Sequence, residues 1–141
     1  MLSDFNYRIT IDTRWRDLDQ LNHVNSAMYL TYFEIARMDY FGSVGLHELK
    51  KPGVVGPAVV SQTCNYRQQL FHPNTLDVGI RCSRIGYKSF TIEYEIYLQD
   101  TDTLICDGST VMTWVDYVNA KAIPVPDALR EAIEALENQT A

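Results

Sequence analysis

Residues 16–25 read RDLDQLNHVN, and they run without a break into SAMYLTYFEIARMDYFGSV at residues 26–44. The second stretch has apolar side chains on nearly every side of a helix, which is typical of a helix buried within a domain. With a rise of ~1.5 Å per residue, such a helix would be roughly 28 Å long, enough to cross a sheet. We predict a helix from Ser26 to about Val44, capped at its start by Asn25 or Ser26.

The first stretch brings carboxylates, an imidazole and amides to the start of this helix. The first backbone N–H groups of a helix have no partner within it, and they carry a partial positive charge. Such N–H groups can polarise a carbonyl oxygen while a neighbouring carboxylate attacks the carbonyl carbon or activates water. These are the requirements of acyl-transfer chemistry, so the segment is predicted to be an active site.

Length and charge limit the class of protein. The 141 residues suffice for one domain with a substantial core, and we assign 1–141 to a single domain. The net charge of -6 argues against a nucleic-acid partner, because phosphate backbones are bound by basic surfaces. The sequence shows no secretory signal, and no apolar run reaches the roughly 18 residues of a membrane span. We therefore expect a cytoplasmic protein with no membrane partner.

The cysteines Cys64, Cys82 and Cys106 lie far apart, without the spacing of a metal site. We interpret them as small core or strand residues in a reducing compartment. The chain also lacks a glycine-rich phosphate loop and the Gly-x-Ser-x-Gly motif of a serine nucleophile. No metal or cofactor is therefore expected.

Alternation of apolar and polar side chains predicts one strand before the long helix in the sequence and four strands after it. The predicted strands span residues 5–16 and about 58–70, 75–85, 89–99 and 103–116, with a loop at 50–57. We expect the last four to form an antiparallel meander, since turn-forming residues separate them. A short helix with one apolar face is predicted after Pro126. Together these elements indicate an α+β fold.

Several motifs occur in an order that matches a known family. They are Asp17-Leu18-Asp19, His23-Val24-Asn25, Tyr29, Phe33-Glu34-Ile35-Ala36-Arg37, Arg84-Ile85-Gly86, Ser89-Phe90-Thr91-Ile92-Glu93-Tyr94 and Ile123-Pro124-Val125-Pro126. The sequence thereby resembles the 4-hydroxybenzoyl-CoA thioesterase family of hotdog-fold proteins. The resemblance implies a hotdog fold, in which a curved antiparallel five-stranded sheet wraps around one long central helix, with a short C-terminal helix. It also implies a homodimer or homotetramer in which subunits join edge to edge and each active site lies between two of them.

The same resemblance implies roles for residues before the helix. Asp19 corresponds to the catalytic carboxylate, as nucleophile or as general base, and the backbone near Asn25 and Ser26 would face the thioester oxygen. His23 is a candidate general base, a hydrogen-bond donor to the thioester, or a structural residue of the loop. Plant acyl-carrier-protein thioesterases are similar here and pair an Asp with a His four residues later. They also carry an Asn two residues after the acid, where this chain has Leu21.

Arg81, Arg84 and Lys88 surround the predicted turn at Gly86. Guanidinium and ammonium groups bind phosphates well, and the resemblance places the nucleotide of coenzyme A near this turn. The three residues are therefore candidate contacts to coenzyme A. A solvated strand edge accounts for the same charges equally well.

Two further sets of charges have structural interpretations. Asp17 is flanked by Arg14 and Arg16, which predicts an exposed ion pair rather than a chemical role. Glu34 and Arg37 are three residues apart on the helix and are expected to pair with each other, within the subunit or at a subunit contact.

The resulting hypothesis is an acyl-CoA thioesterase that hydrolyses its substrate to a free acid and coenzyme A. One alternative is an acyl-carrier-protein thioesterase, which the net charge of -6 disfavours because carrier proteins are acidic. Another is a non-catalytic module that binds acyl thioesters, against which the presence of both Asp19 and His23 argues. The sequence does not specify the acyl group.

Overall fold

One long helix and five long strands make up most of the structure, a computed structural model that describes residues 1–139. In chain order the elements are β1 (Tyr7–Asp12), α1 (Met28–Ser43), α2 (Leu46–Leu49), β2 (Val55–Tyr66), β3 (Thr75–Ile85), β4 (Ser89–Leu98), β5 (Leu104–Asp116), β6 (Lys121–Ala122) and α3 (Asp127–Glu137). The predicted α+β hotdog fold is confirmed, with one more short strand, β6, than expected. Within the described residues, no helix is long and apolar enough to cross a membrane.

The strands form one antiparallel sheet in the order β1-β3-β4-β5-β2, and β6 pairs with β5. The prediction that β2 to β5 form a four-stranded meander is wrong, because β2 pairs with β5 and β1 lies beside β3. Alternation of apolar and polar side chains reports which face of a strand is buried, and it carries no information about neighbouring strands. As a result β2, with 12 residues, is a long edge strand of the sheet.

Helix α1 packs across the inner face of the sheet. The ring of Phe33 stacks on Tyr94 of β4, with centroids 4.1 Å apart and planes inclined by 6°. Gly108 of β5 allows this close approach, since a Cβ there would lie 2.7 Å from the Phe33 ring and 2.3 Å from the carbonyl oxygen of Thr63. Helix α1 and the sheet therefore meet through aromatic side chains at the centre of the core.

The prediction that α1 is apolar and buried on nearly every side is wrong for this single chain. One face is exposed, and it includes Ile35 at 43% and Met38 at 44% of their possible exposure. The reason is that the sheet covers only one side of the helix. Two large apolar side chains are thus left at the surface of a helix that is otherwise part of the core.

Helix α3 is held against β3 by hydrogen bonds at its last turn. The side-chain amide of Asn6 donates to the carbonyl oxygens of Leu136, Glu137 and Gln139, at 3.1, 3.2 and 3.0 Å. The carboxylate of Glu137 accepts the backbone N–H of Cys82 at 2.9 Å. These contacts satisfy carbonyl groups that a helix end leaves without partners, and they fix the helix to the outer end of β3.

Candidate functional site

The segment before α1 is a short loop that closes on itself. An isolated bridge joins Leu18 to Val24, and the backbone N–H of Asp19 donates to the carbonyl oxygen of His23 at 2.8 Å. Asn22 adopts a left-handed conformation with φ of 63°, which asparagine tolerates better than most residues. The loop therefore has a defined shape that places Asp19 and His23 at its neck.

The carboxylate of Asp19 is held by the backbone of its own loop. Its Oδ1 atom accepts the N–H groups of Leu21 at 2.8 Å and His23 at 3.2 Å. Within residues 1–139, Oδ2 accepts no hydrogen bond, and the side chain is half-buried. One oxygen thus fixes the orientation while the other is available to a substrate or a water molecule.

An open pocket of about 530 Å³ lies beside this loop. Its lining residues are Asp19, His23, Val24, Asn25, Ser26, Tyr29, Tyr66, Arg67, Gln68, Gln69 and Leu70. All four residues predicted to act in catalysis are in this lining. The structure thus brings them together at the start of α1.

The start of α1 offers one unused backbone donor to the pocket. The helix begins at Met28, two residues later than predicted, and its N–H bonds to the carbonyl oxygen of Asn25 at 2.9 Å. The Asn25 side chain accepts the N–H of Ala27 at 2.9 Å, just before the helix. The predicted cap at Asn25 or Ser26 is wrong, because the N-cap residue is Ala27, which makes no side-chain hydrogen bond to the helix. Within the described chain, the N–H of Ser26 donates to no other group. Because Ser26 lines the pocket, its N–H is a candidate donor to a carbonyl oxygen.

Strand β2 contributes the opposite side of the pocket. The hydroxyl of Tyr66 donates to the carbonyl oxygen of Ser26 at 2.8 Å, and its ring packs edge-on against Tyr29 with centroids 4.9 Å apart. Burial raises the pKa of Tyr29 to about 12, so this phenol keeps its proton at neutral pH. Tyr66 thus fixes the Ser26–Ala27 peptide, which is the peptide next to the one that carries the free Ser26 N–H.

His23 does not contact the Asp19 carboxylate through its ring. The imidazole packs edge-on against Phe71 with centroids 5.1 Å apart, while only the backbone N–H of His23 reaches Asp19. Within residues 1–139, the ring nitrogens form no hydrogen bond, and the side chain is half-buried. An Asp–His side-chain pair is therefore absent from this arrangement, although the ring lines the pocket.

The prediction of an exposed ion pair at Asp17 is half wrong. Asp17 does pair with Arg14, at 2.9 Å, but its side chain is 0% exposed. The hydroxyl of Tyr32 on α1 also donates to it at 2.7 Å. Burial acts to raise the pKa of Asp17, but the hydrogen bonds from Tyr32 and Arg14 outweigh burial and lower it. Asp17 is thus a buried anchor between the loop and the helix.

The three predicted cations are only partly brought together. Arg84 and Lys88 are exposed on the turn between β3 and β4, which we call the basic turn. Arg81 lies apart from them, paired with Glu93 at 3.1 Å and with its guanidinium 4.8 Å from the centre of the Phe5 ring. The Arg81 side chain therefore already has partners within its own chain, whereas the side chains of Arg84 and Lys88 form no hydrogen bond or ion pair within residues 1–139.

The basic turn is anchored to the segment around α3. Arg130 donates to the carbonyl oxygen of Gly86 at 2.8 Å, and the N–H of Val125 donates to that of Tyr87 at 2.9 Å. These bonds fix the backbone of the turn while its two cations stay in solvent. The turn thus presents positive charge from a defined position.

Within one chain, the Asp19 pocket and the basic turn lie at opposite ends of the sheet. Tyr66 pairs with Cys106 at the pocket end, and Ile85 pairs with Phe90 at the other end. Phe90 pairs with Met112, six residues after Cys106 on β5, so the two ends are roughly 20 Å apart along the strands. The two groups of predicted residues are therefore not neighbours within one subunit.

Sequence reasoning missed the pocket residues at the end of β2 and directly after it. Tyr66, Arg67, Gln68 and Gln69 line the pocket, although residues 58–70 were predicted as a strand. The signal was the polar run Arg67-Gln68-Gln69, which interrupts alternation just before the buried Leu70. Within residues 1–139, no group of three or more His, Cys, Asp or Glu side chains is placed to hold a metal ion.

Comparisons with known proteins identify the family and the fold. A family model described as the thioesterase-like superfamily matches residues 13–133. The long-chain acyl-CoA thioesterase FadM of Escherichia coli strain K12 is 25% identical over 126 residues, which cover 89% of this chain and 96% of FadM. A thioesterase of Thermus thermophilus, solved in complex with coenzyme A and Zn, has 30% identity and a TM-score of 0.84, with 98% of each chain covered. A protein of Pseudomonas aeruginosa strain PAO1 has 28% identity and a TM-score of 0.86, with 96% of this chain and 94% of that protein covered.

Proposed function

We propose that this chain, which belongs to the thioesterase-like superfamily and is a thioester hydrolase, cleaves acyl-CoA thioesters to a free acid and coenzyme A. The observation that carries the proposal is the pocket in which the free Oδ2 of Asp19 and the free N–H of Ser26 both occur. The similarity to FadM and to a thioesterase solved with coenzyme A supports coenzyme A as the carrier.

The chemistry requires one carboxylate and one oxyanion donor. The Ser26 N–H, at the positive end of α1, polarises the thioester carbonyl and stabilises the oxyanion that forms. Asp19 either attacks the carbonyl carbon or takes a proton from a water molecule that attacks it. In the first case a mixed anhydride forms and is then hydrolysed, whereas in the second the acid forms directly. In the first case the sulfur leaves as a thiolate and takes a proton from water, and in the second it takes the proton that Asp19 removed from water, so coenzyme A is released as its thiol in both.

The remaining pocket residues are proposed to orient these two groups. The side chain of Asn25 accepts the N–H of Ala27 and Tyr66 donates to the Ser26 carbonyl, so both hold the Ser26–Ala27 peptide, next to the peptide that carries the oxyanion donor. His23 is proposed to hydrogen-bond the substrate with its ring, since its ring is not paired with Asp19. Hydrogen bonds that are formed before the reaction cost no reorganisation during it.

A second copy of the chain would bring the basic turn to the pocket. The exposed edge of β2 is suited to pair with another strand, and long open edges are usually covered in proteins. If β2 pairs antiparallel with β2 of a second copy, the Val55 end of one strand lies beside the Tyr66 end of the other. Because the basic turn is at the Val55 end of the sheet, it moves to the side of the partner's Asp19 pocket.

The proposed enzyme is therefore a homodimer, or a homotetramer built from such dimers, with two composite sites in each dimer. Arg84 and Lys88 of one subunit contact the phosphates of the coenzyme A whose thioester lies in the other subunit's pocket. Exposed cations suit this role because phosphates of a bound nucleotide stay partly in solvent. Arg81 is not assigned to this contact, since Glu93 and Phe5 already engage it.

The decisive experiment measures release of free thiol from a panel of short, long and aromatic acyl-CoAs, with matched acyl-carrier-protein thioesters beside them. Turnover of at least one acyl-CoA class, and faster turnover than of its carrier-protein counterpart, supports the proposal. Preference for the carrier-protein thioesters would mean that the substrate carrier is a protein. Tight binding of acyl-CoAs without turnover of any would mean that the chain binds thioesters without hydrolysing them.

A further inference from the structure

Helix α1 carries a buried cation whose charge no acid among residues 1–139 offsets. Arg37 is only 6% exposed. Its Nη1 atom donates to the hydroxyl of Tyr94 at 3.0 Å, and to Thr110 and the side-chain oxygen of Gln62 at 3.4 Å each. These three acceptors are uncharged. Burying a guanidinium beside neutral partners alone is costly, because its charge loses the solvation of water.

Glu34, the expected partner of this cation, does not pair with it within residues 1–139. The predicted pairing of Glu34 with Arg37 is wrong for the single chain, since among residues 1–139 neither side chain forms an ion pair. The Nε and Nη2 atoms of Arg37 donate to nothing in that part of the chain, and yet they are not enclosed. Within it, the one fully enclosed side-chain atom without a hydrogen bond is Nδ1 of His47. The unused N–H groups of Arg37 therefore reach an opening at the surface.

This opening lies at the seam between α1 and the edge strand β2. Gln62, which accepts from Arg37, is a residue of β2 and is exposed in the single chain. Glu34 lies one turn before Arg37 on the neighbouring flank of α1, and it too is exposed. Met38, on the same flank, is one of the two large apolar side chains that α1 leaves at the surface. The unpaired cation, an unpaired acid and an apolar contact surface thus occur together beside the open edge.

We propose that Glu34 of each subunit forms an ion pair with Arg37 of the other subunit across a twofold axis between two α1 helices. The inference rests on the proposed pairing of β2 with β2 of a second copy, which would set the two α1 helices antiparallel and side by side. In such a symmetric contact, a residue that meets a second residue of the partner is matched by the reverse contact. One geometry therefore offsets both buried cations at once.

The first experiment removes the acid alone. Glu34 makes no hydrogen bond or ion pair in the described chain, so Glu34→Gln leaves the fold of each subunit intact. The dissociation constant of the dimer, measured by sedimentation over a dilution series, should rise at least about tenfold because two ion pairs are lost per dimer. The matched control is Asp39→Asn, an exposed acid on the same helix whose carboxylate faces Tyr7 of β1. It should leave dimer dissociation unchanged.

The second experiment tells a contact between subunits from one within a subunit. Chains with Glu34→Gln are mixed with chains with Arg37→Gln, and the species are counted by native mass spectrometry. A mixed dimer keeps one complete pair between its subunits, whereas each parent dimer keeps none. If the two ion pairs of a wild-type dimer together lower its dissociation constant tenfold, about three quarters of the dimers should be mixed. Chance alone gives one half. A pair within one subunit gives one half, because no chain in the mixture then retains both partners.

The outcomes separate this inference from the proposed function. A dimer in which Glu34→Gln dissociates like the wild type overturns the ion pair and leaves the composite active site standing. An active monomer at every concentration overturns both. If Arg37→Gln does not fold, the dilution series with Glu34→Gln still decides, because it needs no change at the buried position.

Discussion

Asp17 and Asp19 are two positions apart in the sequence, but their carboxylates have opposite surroundings in the fold. Asp17 is enclosed, and Tyr32 and Arg14 both bond to its carboxylate. Asp19 uses one oxygen to hold its own loop and keeps the other free toward a pocket. The comparison teaches that a carboxylate bonded on all sides stabilises a structure, whereas one that is held but left partly unbonded can act on a substrate.

The strongest test of this difference between the two acids is to replace the Asp19 carboxylate by an amide. Asp19→Asn cannot attack a thioester or accept a proton from water, so kcat should fall by about 10²–10⁴-fold. The amide oxygen can still accept the N–H groups of Leu21 and His23, so thermal unfolding and oligomeric state should match the wild type. Retention of activity by a folded Asp19→Asn enzyme in steady-state assays would remove Asp19 from the mechanism.

The complementary change at Asp17 should affect stability instead. Asp17→Asn removes a buried charge that Arg14 and Tyr32 bond, and it should lower the free energy of unfolding by about 2 kcal/mol. The folded fraction should keep a kcat close to that of the wild type, because Asp17 does not line the pocket. Urea denaturation and activity per folded molecule measure the two effects. Equal losses of kcat in both variants would show that the distinction between the two acids is wrong.

The pH dependence of stability separates the two acids without assaying catalysis. The folded-state pKa of Asp17 is lowered below its ordinary 3.8, so its contribution is fully present above the unfolded-state pKa and is lost as the pH falls through the folded-state value. The difference in unfolding free energy between wild type and Asp17→Asn should therefore shrink as the pH is lowered below 3.8. Denaturant titrations at a series of acidic pH values measure it, and a constant difference would contradict the lowered pKa.

The same contrast between engaged and free side chains extends to the basic residues, with a smaller expected effect. Arg84→Ala and Lys88→Ala should each raise KM for acyl-CoA by about threefold to fivefold, with little change in kcat, since exposed cations contribute modestly to binding. High salt should reduce the difference. Arg81→Ala is the matched control and should leave KM unchanged. An equal response from a substrate that lacks the nucleotide would show that these cations do not bind its phosphates.

The local part of the site could be predicted from the sequence because short-range features determine it. Asp19, His23, Asn25 and Ser26 lie within eight consecutive residues, 19–26, and the loop they form carries them to one pocket whatever the rest of the fold does. The motifs also identified the hotdog fold and thioester hydrolysis. They did not single out a branch, since the matching model is that of the broader superfamily rather than of 4-hydroxybenzoyl-CoA thioesterases.

The features that sequence reasoning missed all depend on contacts between distant residues. Asp17 is buried because Tyr32 and the helix close over it, and the flanking arginines gave no sign of this. The position of β2 beside β5 depends on how the link after Tyr66 crosses the molecule. Arg37 bonds to Tyr94, Thr110 and Gln62 on the sheet instead of to Glu34, which lies one turn earlier on its own helix. Helix periodicity alone cannot report such distances.

Strand β2 has two roles, as an edge of the sheet and, through Tyr66, as part of the pocket. This matters for the design of a monomeric form. The strand is the open edge of the sheet, and its last residue also holds the carbonyl group of Ser26 beside the pocket. A substitution near Tyr66 would therefore disturb the proposed dimer contact and the proposed active site together, and its effects could not be assigned to either. The register shift at Val60 lies six residues away and interrupts the pairing with β5. A lysine placed at Val60 would add charge to the edge while leaving the wall of the pocket as it is.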